Sequence, residues 1–399
     1  MLHDDSDMAG QLERTLIGAY VGAADLGETL ATARRVPEGA YDAWFDEWSQ
    51  TARRARTAGL DAAGRGDDAL AARAFSRAAE YWRQSYFFLR ADLDDERVRT
   101  GYANQRDAFR QALPFLTFVT EPISVPFDPA PLSGYVFRPA RANDPRPTVL
   151  IAGGFDSTAE EMHKYGVHAA LEMGWNAVVW DGPGQGGPLI EHAATMRPDY
   201  ETVLRAMVDW CTDQAYTDTN AIAVIGRSFG GYFAARGATG EHRIRALVCD
   251  PGQHDFTSRF RTMFDDNEWE RLLARDPAVD ARVEAMLDGS RNRFFLGSRM
   301  AAMGATTVGD WLRTLTAYTL EHRVQDISCP TLITEGEGDF ASQSRVVFDA
   351  LTCPKDLRVL SGAEGGGGHC CGLGQQLWQQ TAFGWLRQHI GQAQPPTRA

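Results

Sequence analysis

Near the middle of the chain the apolar run Ala221-Ile222-Ala223-Val224-Ile225 ends in Gly226-Arg227-Ser228-Phe229-Gly230-Gly231 and gives way to a helix-forming stretch. A serine in the pattern G-x-S-x-G, set between a buried strand and a helix, is a nucleophile elbow. The tight turn exposes the hydroxyl, and Gly226 and Gly230 omit the Cβ atoms that would collide with the turn. The helix that starts after Ser228 aims its first N–H groups at charge developing on a substrate carbonyl. The bare motif also occurs in structural turns, so the strand-turn-helix context carries the assignment.

A serine hydroxyl is a weak nucleophile without a base, and the base needs an orienting carboxylate; along the chain they should follow in the order Ser, Asp/Glu, His. The segment TLITEGEGDF offers Glu335, Glu337 and Asp339. Asp339 is the best placed, on the loop beyond the strand and after the Gly336-Glu337-Gly338 turn. Its competing role is to cap a helix beginning near Ser342, and Glu337 reads as a loop anchor. Of nine histidines, His369 and His389 follow the last strand-like segment. His389 falls on a C-terminal amphipathic helix and reads as a surface residue. His369 follows Gly365-Gly366-Gly367-Gly368, a run free enough to let an imidazole reach back toward Ser228.

An oxyanion formed at Ser228 needs backbone donors. The loop Gly153-Gly154-Phe155, after the strand TVLIAG, supplies the Phe155 N–H, and the Phe229 N–H supplies the other. Gly153 and Gly154 have a competing role as a tight strand-helix turn. The glycine-rich stretch Asp181 to Gly187 lacks the spacing and the lysine of a phosphate loop and reads as a structural loop beside the site. Chemistry of this kind calls for no metal and no organic cofactor.

Two textures of sequence must position these residues. Up to Leu113 the chain is rich in Ala and Arg, with Pro37 its single proline, and apolar residues recur every three or four positions. This period predicts helices near Gln11 to Arg35, Ala40 to Gly64, Asp67 to Arg90 and Asp92 to Leu113. The third is so apolar on one face that it must pack on something larger than its neighbours. From Phe115 onward, β-branched runs alternate with turns and helical stretches, as in a mostly parallel sheet covered on both faces. ISVPF and GYVFRP predict an opening antiparallel pair. TVLIAG, NAVVWD, AIAVIG, RALVCD, TLITEG and LRVLSG predict the core strands. The expected organisation is a helical front domain over 1–114, an α/β core over 115–251 and 322–399, and a helical insertion over 252–321. The aromatic residues in the two helical parts should be mostly core, with a few lining a pocket for an aromatic substrate.

The 399 residues carry 40 Lys+Arg against 53 Asp+Glu, a net charge of −13. An acidic chain without a basic block has no electrostatic footprint for nucleic acid or for anionic membranes. Met1 to Ala40 lacks a basic stretch followed by an apolar one, and no apolar run is long enough to cross a bilayer, so the expected location is the cytoplasm. Six scattered cysteines without a C-x-x-C pair read as reduced thiols.

With GGFDS, WDGPGQG, GRSFGG, GEGD and GGHCC in this order, the chain resembles the α/β-hydrolase superfamily. The helical front end with RAFSRAAEYWRQSYFF, joined to GGFDS and DGPGQG, resembles the branch that contains 2,6-dihydroxypseudooxynicotine hydrolase, fungal polyketide-shortening pigment hydrolases and FrsA-like proteins. The resemblance spans nearly the whole chain. It implies an α/β-hydrolase fold with a Ser228, Asp339 and His369 triad, and a site roofed by the front helices and the insertion. It also implies cleavage of a carbon–carbon bond beside a ketone in an aromatic or polyketide-like small molecule, and a homodimer. Carboxylesterase and acyl transfer or cyclisation are alternatives on the same scaffold, and a noncatalytic regulatory binding protein is the alternative outside enzymes.

Overall fold

The computed structural model describes residues 2–140 and 144–391. The front end forms five helices: α1 (Ser6–Ile17), α2 (Leu26–Ala33), α3 (Tyr41–Gly64), α4 (Asp68–Ser85) and α5 (Glu96–Ala112). The single helix expected over Gln11 to Arg35 is therefore two. Gly22, at φ +76°, turns the chain in a conformation that L side chains avoid. The Asp25 carboxylate then accepts the Glu28 N–H and starts α2 afresh. α4 stops at Ser85, five residues earlier than the periodicity suggested, and Phe87–Leu89 form a short 3₁₀ turn. α5 starts at Glu96 because Asp95 caps it.

Eight strands follow: β1 (Val119–Val125), β2 (Leu132–Arg138), β3 (Arg146–Ala152), β4 (Asn176–Asp181), β5 (Thr217–Arg227), β6 (Ala246–Asp250), β7 (Thr331–Gly336) and β8 (Lys355–Leu360). They lie in the order β1-β2-β4-β3-β5-β6-β7-β8. β1 and β2 are antiparallel to each other and β2 is antiparallel to β4, while every later pairing is parallel. This is the α/β-hydrolase fold. β3, β4 and β5 from Ala221 onward are buried residue by residue, which is why these segments read as continuous apolar runs. β3 and β5 are neighbours, yet the chain leaves β3 for β4 on one side and leaves β5 for β6 on the other, which opens a crevice between their carboxyl ends.

The front helices pack on the sheet and share its core. Trp44, Trp48, Tyr81 and Phe88 belong to one buried cluster with Phe137, Val149 and Trp175. Across this junction Lys164 donates to both carboxylate oxygens of Glu80 at 2.8 Å, and both groups are buried. Arg83 on α4 and Arg14 on α1 both pair with Glu161, each at 2.5 Å. Between β6 and β7 the chain forms helices Ser258–Arg261, Asp266–Leu273, Pro277–Glu284, Ser290–Met303 and Val308–Leu315. This segment reaches the front end, where Phe294 packs on Tyr41, Phe87 and Phe88 and Arg291 pairs with Asp7 at 2.5 Å. Among the described residues, no helix is long and apolar enough to cross a membrane.

Candidate active site

Ser228 follows directly on β5, at φ 56° and ψ −126°, a backbone conformation that L-residues rarely hold. Its N–H is tied to the Asp250 carbonyl at 2.7 Å, which fixes the turn against the end of β6. A Cβ on Gly226 would come within 2.0 Å of the Gly230 carbonyl oxygen, inside the turn as expected. Gly230 is required for a different reason. A Cβ there would meet the Ala152 carbonyl oxygen at 2.3 Å, so this glycine lets the helix Phe229–Ala238 approach the end of β3. Gly231, outside the motif, is pressed in the same way against the Pro251 carbonyl, at 2.1 Å.

His369 and Asp339 come together with Ser228. His369 Nδ1 lies 2.8 Å from Asp339 Oδ1, and Nε2 lies 2.8 Å from Ser228 Oγ. Since a carboxylate only accepts, Nδ1 carries the proton it donates and Nε2 is left to accept the serine proton. The second Asp339 oxygen accepts the Cys370 N–H at 3.0 Å, and Oδ1 also accepts the Ala341 N–H at 2.9 Å. Burial works against both charges. Yet the two backbone donors and the imidazole hold the Asp339 carboxyl below its usual range. Burial likewise opposes charge on His369, but Cys370 and Asp339 outweigh it and hold the imidazole well above its usual value. The pair thus favours the imidazolium that abstraction of a proton would generate.

The other two carboxylates of TLITEGEGDF are engaged elsewhere. Glu335 accepts from the Ser342 hydroxyl, and Glu337 accepts the Gly362 N–H at 2.8 Å, the anchoring role expected of it. His389 stacks on Trp385 and bonds its carbonyl, far along the last helix. The glycine run before His369 is more constrained than its composition suggested. Gly365 and Gly368 hold φ of +89° and +86°. At Gly366 and Gly367 an added Cβ would fall 2.6 Å from Leu360 Cβ and 2.9 Å from Gly362 Cα. The Gly368 N–H is bonded to the Glu337 carbonyl at 2.9 Å, so the loop that carries His369 is pinned to the loop that carries Asp339.

Phe155 and Phe229 flank the serine, with their rings edge to face at 5.3 Å. Neither backbone N–H has a hydrogen-bond partner among the described residues, as two donors kept for an oxyanion would require. A Cβ on Gly154 would meet Ser228 Cβ at 2.9 Å, so the loop needs a glycine to lie against Ser228. Ser157 Oγ takes up the Gly154 N–H at 2.8 Å, and a Cβ on Gly153 would strike the Ser157 side chain. From the other side Gln185 Nε2 donates to the carbonyls of Gly153 at 3.0 Å and Gly154 at 2.5 Å. The loop Asp181 to Gly187, expected to be structural, thus braces the donor loop. Arg14 and Arg90 hold it a third way by pairing with Asp156 at 2.7 and 3.3 Å. Charge partners so distant in sequence leave no local signal.

Beneath the site, Arg227 is buried, its guanidinium carbon 3.8 Å from the centre of the Trp378 ring. It pairs with Asp250 at 2.6 Å and donates to the Cys370 carbonyl and Gln375 Oε1 at 2.9 and 2.8 Å. Cys370 Sγ lies 3.7 Å from His369 Nε2. Among the described residues, one cluster of three possible metal ligands occurs, Asp339, His369 and Cys370, whose ligating atoms lie within 4.8 Å of one another. Asp339 and His369 face each other in a hydrogen bond that a bound ion would have to break, so their arrangement suits proton transfer.

Above Ser228 opens a cavity of ≈ 1250 Å³, lined by α1, the turn after α4 and the inserted helices. Phe87, Phe88, Phe260, Phe294, Phe295 and Trp311 reach it. Trp44, Trp48 and Tyr81 are fully buried core instead.

Comparison with known proteins agrees with this architecture over almost the entire chain. The hydrolase acrC of Aspergillus aculeatus is 30% identical over 94% of this chain and 94% of its own. The 20-hydroxy-prefusarin hydrolase FUS2 of Gibberella moniliformis is 32% identical over 86% of this chain and 87% of its own. Among solved structures, the 2,6-dihydroxy-pseudo-oxynicotine hydrolase superposes with a TM-score of 0.74 at 23% identity, over 97% of this chain and 98% of that one. AbyA5 does so with a TM-score of 0.64 at 15% identity, covering 94% of each. A family model described as Esterase FrsA-like matches residues 38–275, more than half of the chain, from the segment before α3 through the serine turn. The chain belongs to the FrsA-like esterase family.

Proposed function

We propose that this protein is a serine hydrolase that works through an acyl-enzyme and cleaves a carbon–carbon bond beside a ketone in an aryl ketone or polyketide-like substrate. The observation that carries the reading is the continuous hydrogen-bonded line from Ser228 Oγ through His369 to Asp339, set on a strained turn beneath an aromatic-lined cavity. Its relatives are named hydrolases, of 20-hydroxy-prefusarin in one case and of 2,6-dihydroxy-pseudo-oxynicotine in another.

In this mechanism His369 Nε2 takes the Ser228 proton as Oγ attacks the ketone carbonyl, and the oxyanion is held by the Phe155 and Phe229 amides. Collapse breaks the carbon–carbon bond, and the leaving carbanion takes the proton from His369. That step is accessible only where an electron-rich ring or a β-carbonyl delocalises the charge. Water, deprotonated by His369, then attacks the acyl-enzyme, releasing a carboxylic acid and restoring Ser228. Asp339 orients the imidazole and stabilises its charge without itself moving a proton.

The family's description as FrsA-like esterases favours a second reading, a carboxylesterase, in which the same first half expels an alkoxide. Incubating the purified protein with an aryl β-diketone and with the phenyl ester of the same acid separates the two. Release of the methyl ketone fragment together with the acid supports carbon–carbon cleavage, whereas turnover of the ester alone replaces it with the esterase reading.

A further inference from the structure

Most charges around the cavity are matched. Arg14 and Arg90 pair with Asp156, Arg227 pairs with Asp250 and Asp7 pairs with Arg291. Arg259 and Arg299 line the same cavity, as do the carboxylates Glu13 and Asp255, and none of the four forms an ion pair among the described residues; Asp255 is engaged by the Thr257 hydroxyl and N–H, and Glu13 is exposed. Arg259, on the insertion, lies 5.7 Å from the Phe340 ring, which itself packs 4.8 Å from His369. Arg259 is exposed, whereas Arg299 is half-buried and better fixed.

Arg299 projects from the helix Ser290–Met303. Its Nη1 donates to the Phe295 carbonyl at 2.7 Å, one turn back on its own helix. The guanidinium lies 3.5 Å from the Phe295 ring centre and 5.6 Å from that of Phe155, whose ring packs on Phe229 next to Ser228. Nε and Nη2 have no protein acceptor among the described residues. Asp156, the carboxylate whose charge it feels most, is already bound by Arg14 and Arg90. Burial lowers the Arg299 pKa to about 10, which leaves the group cationic at neutral pH. A planar cation held against an aromatic ring with Nε and Nη2 both free to donate has the geometry that pairs with a carboxylate through two parallel hydrogen bonds.

We propose that Arg299 is a substrate-binding residue and that the substrate carries a carboxylate, which the guanidinium holds beside Phe155. The inference names the substrate class for the serine hydrolase reading and rests on it. It also explains how a chain of net charge −13 would admit an anion, since a local unpaired cation offsets the repulsion of the acidic surface.

Two matched esters test it: 4-nitrophenyl hemiglutarate and 4-nitrophenyl valerate, which differ only in carboxylate against methyl. The wild type should favour the acid in kcat/KM by about tenfold or more. Arg299→Met should abolish that ratio mainly through KM, and Arg299→Lys should recover part of it. A ratio that Arg299→Met leaves unchanged, or a wild-type preference for the valerate, would overturn the proposal. A binding measurement separates its failure from failure of the hydrolase reading. Calorimetry with N-phenylglutaramic acid and N-phenylvaleramide, which need not react, should show tighter binding of the acid, lost in Arg299→Met. Equal binding or none refutes the carboxylate site even if the esters are hydrolysed. Selective binding in a protein that cleaves neither these esters nor the aryl β-diketone upholds the site while removing the hydrolase reading.

Discussion

Arg227 Nη2 donates to the Cys370 carbonyl at 2.9 Å, so the residue just before Ser228 holds the residue just after His369. The variable position of the serine motif is thus occupied by a guanidinium that ties β5, the Asp250 end of β6 and the His369 loop into one unit. Removing one partner of a buried ion pair leaves the other charge uncompensated.

Arg227→Met should therefore destabilise the protein by about 3–5 kcal/mol, measured by denaturant unfolding. Arg227→Lys keeps the charge but not the two-sided donation. It should remain folded, with kcat reduced about 10- to 100-fold and KM little changed, because a small displacement of the base is costly. A wild-type kcat in folded Arg227→Lys would show that the imidazole does not depend on this anchor.

The pH dependence follows from the His369–Asp339 pair. The base acts only when unprotonated, and its pKa is raised by Cys370 and Asp339 against the effect of burial. The kcat/KM of the free enzyme should therefore rise with pH through a midpoint above the usual imidazole value of about 6.5. In Asp339→Asn the acceptor charge is gone, so the midpoint should move down while the plateau drops by several orders of magnitude. Glu335→Gln and Glu337→Gln should leave the midpoint in place. A pH profile in which Asp339→Asn matches the wild type would move the orienting role to another carboxylate.

Much of this site was legible because its geometry is local. The serine turn, the order of the triad along the chain and the apolar strands each leave a short signature, and Asp339 was separable from Glu335 and Glu337 by its place beyond the strand. What stayed hidden is long-range. Arg14 and Asp156 are 142 positions apart, and Gln185 sits in a glycine-rich loop whose pattern says nothing about its brace on Gly153 and Gly154. The break between α1 and α2 was missed because apolar spacing continues through it, whereas Gly22 and the Asp25 cap interrupt the backbone. The glycine run before His369 suggested freedom, but two of those glycines are there because no side chain fits.

The packing of the front helices on the sheet predicts one cooperative unit. Lys164→Met should destabilise the protein by about 3–5 kcal/mol by stranding the Glu80 charge in the shared core. The double variant Glu80→Leu with Lys164→Met should regain most of that loss, since an apolar pair replaces both charges. The fragment Phe115 to Ala399 alone should aggregate or lack activity. A soluble fragment with unchanged activity and specificity would contradict the shared core.

The central claim is that Ser228 is the nucleophile and is activated by His369. The most direct measurement is labelling with a fluorophosphonate probe, followed by mass mapping of the modified peptide. The account predicts one modified residue, Ser228, in the wild type, no labelling of Ser228→Ala, and labelling slowed by orders of magnitude in His369→Ala. A folded wild-type protein that does not label, or that labels at another residue while Ser228→Ala reacts as before, would contradict it.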